Sequence, residues 1–146
     1  MDINGNYIQS QFCSYEIALK LKELGFDEEC FCTYHNAELS RNPSHKIDAT
    51  PIQGKPYVWK NSKVHNSIVC VPLWQQVIDW FREVKNIIVE VWYDNTQDDG
   101  FSWLYEIYID NNEHQHDGSY YDSFYEAREQ AILKAIELCK KNYHKK

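Results

Sequence analysis

The sequence predicts an α+β fold: a two-layer sandwich of an antiparallel sheet with three helices packed mainly on one face, in the order α-β-(β)-α-β-β-α. Two observations support this prediction. Residues 14–24, 72–85 and 123–139 repeat apolar side chains at intervals of three and four, which is the period of a helix. Residues 87–109 are rich in β-branched and aromatic side chains around Asp-Gly, which is typical of a hairpin. Because an apolar hairpin face must be covered, we expect the helices on that side.

The first helix is predicted to begin at Ser14, whose side chain can accept a hydrogen bond from the first turn. Gly25 is expected to end it in a left-handed conformation, with Phe26 folding back as the apolar contact of a Schellman-type end. Residues 1–12 are interpreted as a loose lead-in.

Residues 30–70 give fewer signals of secondary structure than the rest of the chain. A short strand is expected at Cys30–Tyr34, and an edge strand at Tyr57–Trp59, because Pro56 cannot donate to a ladder. Proline, glycine and asparagine interrupt residues 35–70 repeatedly, so the path of this stretch stays open. A loop of that length is rare in a compact domain, so some strand pairing is expected within it.

The second helix is predicted to have Pro72 at its first position and to end at Asn86, which readily adopts a left-handed conformation. Residues 110–121 are predicted to form a polar loop. Residues 123–126, Ser-Phe-Tyr-Glu, match a capping box for the third helix, and residues 140–146 form a Lys-rich tail. Small side chains on one face should let this helix approach the sheet closely: Ala127, Ala131 and Ala135.

Two loop lengths compete in the hairpin. A two-residue loop at 99–100 pairs Val91 with Tyr108 and mixes apolar and charged groups on both faces. A three-residue loop at 98–100 pairs Val91 with Ile107 and gathers the apolar groups on one face. We predict the three-residue loop, because a slip by one residue would turn the apolar set to water.

The outward face of that hairpin combines carboxylates with aromatic side chains. Trp92 is expected opposite Glu106, and Glu90 opposite Tyr108. Such a face suits partner docking through aromatic anchors, and paired carboxylates beside aromatics also occur in acid–base and sugar-binding sites. A half-solvated sheet face that only covers the backbone is the third interpretation. We predict partner binding by Glu90, Trp92, Glu106 and Tyr108, and no catalytic residues.

Composition limits the function classes. With 146 residues, 43% of them apolar and 15% aromatic, the chain is expected to form a single domain, 1–146. The net charge is −7, and no Lys or Arg lies between Lys85 and Arg128. A nucleic-acid surface needs clustered cations, so direct nucleic-acid binding is not expected, whereas a protein partner with a basic surface is.

The distribution of apolar residues and cysteines predicts the cellular compartment. No apolar run reaches the ~20 residues of a membrane span, and the first residues lack the basic and apolar regions of a signal peptide. Five cysteines, an odd number without a regular spacing, favour free thiols. We therefore expect a cytoplasmic protein that does not bind membranes.

Cys30, Cys32 and His35 are the nearest arrangement to a set of metal ligands. A structural zinc site needs four ligands and usually takes two of them from a distant part of the chain. Here a distant ligand, such as Cys70, could come only from residues 35–70, and only if that stretch folds back toward Cys30. In the alternative without a metal, Cys30 and Cys32 are small core residues of a strand. No cofactor is predicted, and a metal-binding module or metal-dependent enzyme that uses these three residues is the alternative function.

Four segments carry a further pattern: CSYEIALKLKELGFDEECFCTY, YVWKNS, VPLWQQVIDWFREVKNIIVEVWY and YDSFYEAREQAILKAIELC. They resemble a family of small uncharacterised proteins encoded by phages and prophages of Bacteroides-type gut bacteria, and the resemblance extends over about two-thirds of the chain. The resemblance implies the order of elements and a phage or prophage setting. It implies no activity and no site residue. With the acidic hairpin face, it predicts a non-enzymatic phage or prophage accessory protein that acts by protein–protein interaction.

Overall fold

The structure is a computed structural model that describes residues 10–35, 58–98, 100–109, 113–115 and 118–143. The α+β class is confirmed, with three helices and antiparallel strands among these residues. The strands form two small sheets rather than the one predicted sheet. The chain divides into two compact units, Met1–Gln76 and Val77–Lys146, which are described in turn.

The first unit contains helix α1 (Tyr15–Glu23), strand β1 (Cys32–His35), a 3-10 turn (Asn61–Lys63) and strand β2 (Ile68–Val71). The two strands are antiparallel, with Cys32 opposite Val71, and α1 packs on β2. Some strand pairing was expected within residues 35–70; β2 starts inside this stretch, but its partner is β1, which ends at the first residue of the stretch. The position of β2 was not predicted, because four apolar residues are too few to show a strand period.

Helix α1 begins and ends at the predicted residues. The Ser14 hydroxyl accepts a hydrogen bond from the Ile17 N–H at 3.4 Å. Gly25 has a φ of 91°, and the Phe26 N–H donates to the Leu21 carbonyl at 3.0 Å. This is the hydrogen-bond pattern of a Schellman end, and the Phe26 side chain is buried as that end requires.

The described part of the N-terminal lead-in, residues 10–12, is anchored in the first unit. Phe12 is buried and forms a β-bridge with Leu73. The Trp74 N–H donates to the Gln11 carbonyl at 3.0 Å. These contacts hold the chain in place immediately before α1.

The two strands predicted in the first unit are shorter than expected. The strand predicted at Cys30–Tyr34 begins at Cys32, and Cys30 forms an isolated bridge with Trp59. In that bridge each N–H donates to the other residue's carbonyl, at 2.8 and 2.9 Å. Val58 and Trp59 belong to no continuous strand, and Tyr57 lies outside the described residues.

Helix α2 (Trp74–Lys85) starts two residues after Pro72, so the prediction that Pro72 takes its first position is wrong. Instead the Leu73 N–H donates to the side-chain oxygen of Gln76 at 3.4 Å, which satisfies a donor at the helix start. Asn86 has a φ of 54° and ends the helix in the predicted left-handed conformation.

The second unit contains the end of α2, then strands β3 (Ile87–Tyr93), β4 (Trp103–Ile109) and β5 (Glu113–Gln115), and helix α3 (Phe124–Tyr143). The sheet order is β3-β4-β5, so β3 lies at an edge of the sheet that the described residues form. Strand β5 lies where a polar loop was predicted. Glu-His-Gln has little intrinsic preference for strands, so sequence patterning does not reveal it.

Helix α3 covers one face of β3 and β4. Its start is the predicted capping arrangement, in which the Ser123 hydroxyl accepts a hydrogen bond from the Glu126 N–H at 3.1 Å. The predicted line of small residues is fully buried: Ala127, Ala131 and Ala135. The facing strand residues are buried as well: Ile87, Val89, Tyr105, Ile107 and Ile109.

The predicted hairpin register is wrong by two residues. Val91 lies opposite Tyr105, not Ile107, and Val89 lies opposite Ile107. The Asp94 N–H donates to the Ser102 carbonyl at 2.7 Å, so the ladder closes there, around a longer loop than predicted. Because side chains alternate with a period of two, a shift of two residues leaves every side chain on its predicted face.

We expect Ile107→Ala to lower the free energy of unfolding by about 2–5 kcal/mol, because Ile107 is fully buried and its truncation leaves a cavity beneath α3. Trp92→Ala is the matched change on the opposite face, where the side chain is 49% exposed, and should cost about 1 kcal/mol or less. Urea unfolding measures both values. Equal costs would contradict the sorting of side chains between the two faces.

Candidate functional site

The candidate site is the outer face of the hairpin, which we define as the side chains of β3 and β4 that point away from α3: Ile88, Glu90, Trp92, Leu104, Glu106 and Tyr108. The structure places all four predicted partner-binding residues on this face. None of them is buried, and Trp92 is about half exposed.

The cross-strand pairs on the outer face differ from the predicted ones. Glu90 lies opposite Glu106, and Trp92 lies opposite Leu104. The predicted pairs of Trp92 with Glu106 and of Glu90 with Tyr108 are therefore wrong. The cause is the shift of the register by two residues, which brings the two carboxylates directly across from each other.

Glu90 and Glu106 are residues of like charge at directly opposite positions of the two strands. Directly opposite side chains in an antiparallel pair have Cβ atoms about 4.5–5.5 Å apart, and like charges there destabilise the sheet. The two basic residues in the last turn of α2 have partners on the same helix. Arg82 bonds Asp79 and Glu83 at 2.9 and 2.8 Å, and Lys85 lies over the Trp80 ring at 5.1 Å.

Tyr108 orients one of these carboxylates. Its hydroxyl donates to Oε2 of Glu106 at 2.7 Å. This hydrogen bond holds the pKa of Tyr108 above its ordinary value, and the negative charge of Glu90 adds a smaller contribution. Tyr108 therefore stays protonated at neutral pH and fixes the Glu106 carboxylate as a hydrogen-bond acceptor on the outer face.

Two further aromatic residues are exposed at the loop end of the hairpin. Tyr93 is 60% exposed and contacts Trp103 edge-on, with ring centroids 5.0 Å apart, and Phe101 is 48% exposed. The alternation puts Tyr93 on the same side of the hairpin as Val89 and Val91, and neither its exposure nor that of Phe101 was predicted. The sequence gives no signal for their exposure, because it depends on how far α3 reaches along the strands.

Asp94 organises the loop that follows β3. Its Oδ1 accepts hydrogen bonds from the Thr96 N–H at 2.9 Å and the Thr96 hydroxyl at 2.6 Å. Its Oδ2 accepts one from the Tyr120 hydroxyl at 3.0 Å. The bonds from Thr96, with those from Tyr120 and Gln97, lower the pKa of Asp94 to about 2. One carboxylate therefore fixes the loop beside the outer face and ties it to the segment before α3.

Cys30 and Cys32, the cysteines of the alternative metal site, are both buried in the first unit. A hydrogen bond with the Cys70 thiol, together with burial, raises the pKa of the Cys30 thiol, and burial raises that of Cys32. The side chain of His35 lies outside the described residues. Within the described part of the chain, no three His, Cys, Asp or Glu residues are grouped to hold a metal ion.

Among the helices that the structure describes, none combines the length and apolar character needed to cross a membrane. Searches against protein families, curated proteins and solved structures found no match to this chain.

We expect Glu90→Gln to raise the free energy of unfolding by about 0.2–1 kcal/mol, because it removes one of two directly opposed like charges. The gain should shrink as salt is added, since salt screens the repulsion. In a Glu106→Gln background the same substitution should have a smaller effect, which a double-mutant cycle by urea unfolding measures. A loss of stability from Glu90→Gln at low salt would contradict the repulsion.

We also expect the carboxyl of Asp94 to titrate with a pKa of about 2, against an ordinary value of 3.8. The folded protein then binds fewer protons at Asp94 than the unfolded chain does. The stabilisation by Asp94 is thus fully present above the ordinary value and is lost as pH falls through the folded value. Asp94→Asn should destabilise the protein at pH 7 and make its stability less sensitive to pH between about 4 and 2.

Carbon-13 NMR of the Asp94 carboxyl tests the first statement, and urea unfolding at several pH values tests the second. Titration of Asp94 near its ordinary value would show that the hydrogen bonds from Thr96 and Tyr120 do not form in solution.

Proposed function

We propose that this chain is a non-enzymatic phage or prophage accessory protein that binds a basic segment of a host or phage protein through the outer face. The observation that carries the proposal is the opposed pair of Glu90 and Glu106 beside the half-exposed ring of Trp92. The resemblance of the sequence to small phage and prophage proteins supports the biological setting, and the absence of Lys and Arg between Lys85 and Arg128 supports a basic partner.

The two carboxylates favour a cation between them. A Lys or Arg side chain that reaches Glu90 and Glu106 replaces a repulsion with two attractions, so the binding energy includes relief of an unfavourable contact. Tyr108 already holds Glu106 in place, so little side-chain entropy is lost there when a partner binds.

Trp92 supplies the apolar part of the contact. Tryptophan is enriched among the residues that dominate binding energies, because it buries a large rigid surface. Its ring can also bind the guanidinium or ammonium group of a neighbouring Arg or Lys. A partner segment that combines cations with apolar residues thus fits this face better than a purely ionic one.

The test uses a defined probe, a synthetic heptapeptide of alternating Lys and Val with blocked ends. We expect the wild-type protein to bind it, with affinity falling as salt rises from about 0.05 M to about 0.5 M because salt screens the ionic contacts. The double variant Glu90→Lys/Glu106→Lys should bind at least about tenfold more weakly, which corresponds to about 1.4 kcal/mol. Fluorescence anisotropy of a labelled peptide measures both.

A matched control makes the same change of charge on another surface. Glu126→Lys/Glu129→Lys alters two exposed residues of α3 and should leave binding within about twofold of wild type, since surface charges beyond a Debye length are largely screened at physiological salt. Equal losses in both double variants would mean that only net charge matters, and no loss in either would remove the outer face as the binding site.

A further inference from the structure

We infer that the basic partner binds as an additional β-strand along the outer edge of β3, so that its backbone and its side chains are both recognised. This inference rests on the proposed function for the charge of the partner. It adds the mode of binding and a pattern that the partner's sequence must have.

The hydrogen bonds of the hairpin show which backbone groups of β3 face outward. The Asp94 N–H donates to the Ser102 carbonyl, so these two residues form a hydrogen-bonded pair. Such pairs alternate along an antiparallel ladder. The even-numbered residues of β3 therefore bond β4, and the odd-numbered residues direct their N–H and C=O groups to the opposite side: Ile87, Val89, Val91 and Tyr93.

The other side of β4 supports this assignment. The Trp103 N–H donates to the Tyr121 carbonyl at 3.1 Å, and the Tyr121 N–H donates to the Trp103 carbonyl at 2.7 Å. Odd-numbered residues of β4 thus bond away from β3, as the alternation requires. Along β3 the corresponding outward groups face the edge of the sheet, and no strand of the described residues pairs there.

Strand β3 lacks most of the features that keep an edge strand from pairing with another chain. Its seven residues, Ile-Ile-Val-Glu-Val-Trp-Tyr, contain no Pro and no Lys, and each pairs with one residue of β4 without a bulge. An edge of this length and composition is a template for strand addition. The single charge in β3, at Glu90, decides what kind of strand can add.

Glu90 disfavours a second copy of the same chain. Glu90 is the central residue of β3, so full-length two-fold pairing of β3 with β3 of another copy places Glu90 opposite Glu90. That pair falls at a non-hydrogen-bonded position, where Cα atoms are only about 4.5 Å apart. With Glu106 of each copy, four carboxylates would then lie in one row. A strand with Lys or Arg at that position instead brings a cation to Glu90.

The alternation of side chains predicts the partner pattern. The partner residue opposite Glu90 and its neighbours two positions away project onto the outer face, beside Glu90 and Trp92. The residues between them project to the other face, beside Val89 and Val91, which are buried and half-buried. The partner strand is therefore expected to alternate Lys or Arg with apolar residues.

The first test is amide hydrogen exchange of the full chain, followed by NMR. Without ligand, the amides of Val89 and Val91 should exchange at least about tenfold faster than those of Ile88, Glu90 and Trp92, which donate to β4. Saturation with the Lys-Val heptapeptide should slow the exchange of Val89 and Val91. Strong protection of these two amides without ligand would overturn the inference, because their side of β3 would already be covered.

The second test removes one outward donor. Val91→Pro deletes an N–H that β4 does not use, so the hairpin ladder should persist, while the peptide should bind at least about tenfold more weakly. Val91→Ala keeps the N–H and should change binding less than about threefold. If Val91→Pro does not fold, the backbone donors are removed from the peptide instead, by methylating the nitrogens on one edge of its strand. The methylated peptide should then bind the wild-type protein more weakly than the unmethylated one.

The outcomes separate this inference from the function it rests on. Equal binding of methylated and unmethylated peptides, with a loss in Glu90→Lys/Glu106→Lys, would overturn strand addition and leave the docking face intact. Binding that does not change in the Glu variant would overturn the proposed function itself. Weaker binding from both changes supports both proposals.

Discussion

The second unit depends on one constraint, the alternation of side chains along a two-stranded ladder. Every second residue of β3 and β4 lies on the side of α3, and the line of small residues in that helix lets the residues it covers be fully buried, as at Ile107. The same alternation commits the remaining residues to the other side, including Glu90 and Glu106. Their position on the outer face follows from the burial of their neighbours, because successive side chains of a strand point to opposite faces.

The proposed function places stability and binding in opposition at Glu90. A sheet under selection for stability alone would not keep two carboxylates directly opposite each other, when a neutral residue at either position removes the repulsion. Sites that bind charged partners commonly carry such a cost, since selection maintains stability only above a threshold. The bond from Tyr108 to Glu106 fits this picture, because it maintains the orientation of a charge that does not help the sheet.

The sequence predicted those features that depend on residues only a few positions apart. The ends of α1, the start of α3 and the two faces of the hairpin all belong to this class, and so does the placement of the four candidate residues on one face. The exact pairing was missed because Asp94 builds a longer loop with help from Tyr120, a contact across 26 positions of sequence. The approach of Cys70 to Cys30 and the edge position of β3 stayed open at the level of sequence, since each depends on distant segments.

The closure of the ladder at Asp94 and Ser102 has an evolutionary consequence. Once this pair and the bonds from Thr96 to the Asp94 carboxylate have set the spacing of the strands, an exposed tip residue such as Phe101 is not needed for their alignment. Exposed loop tips of this kind accept insertions and rapid change. Lineages can therefore diversify the tip, with its exposed Phe101, while the strands beneath keep their alignment. Such a hairpin separates the paired strands, whose alignment must be kept, from the loop tip, whose sequence can vary.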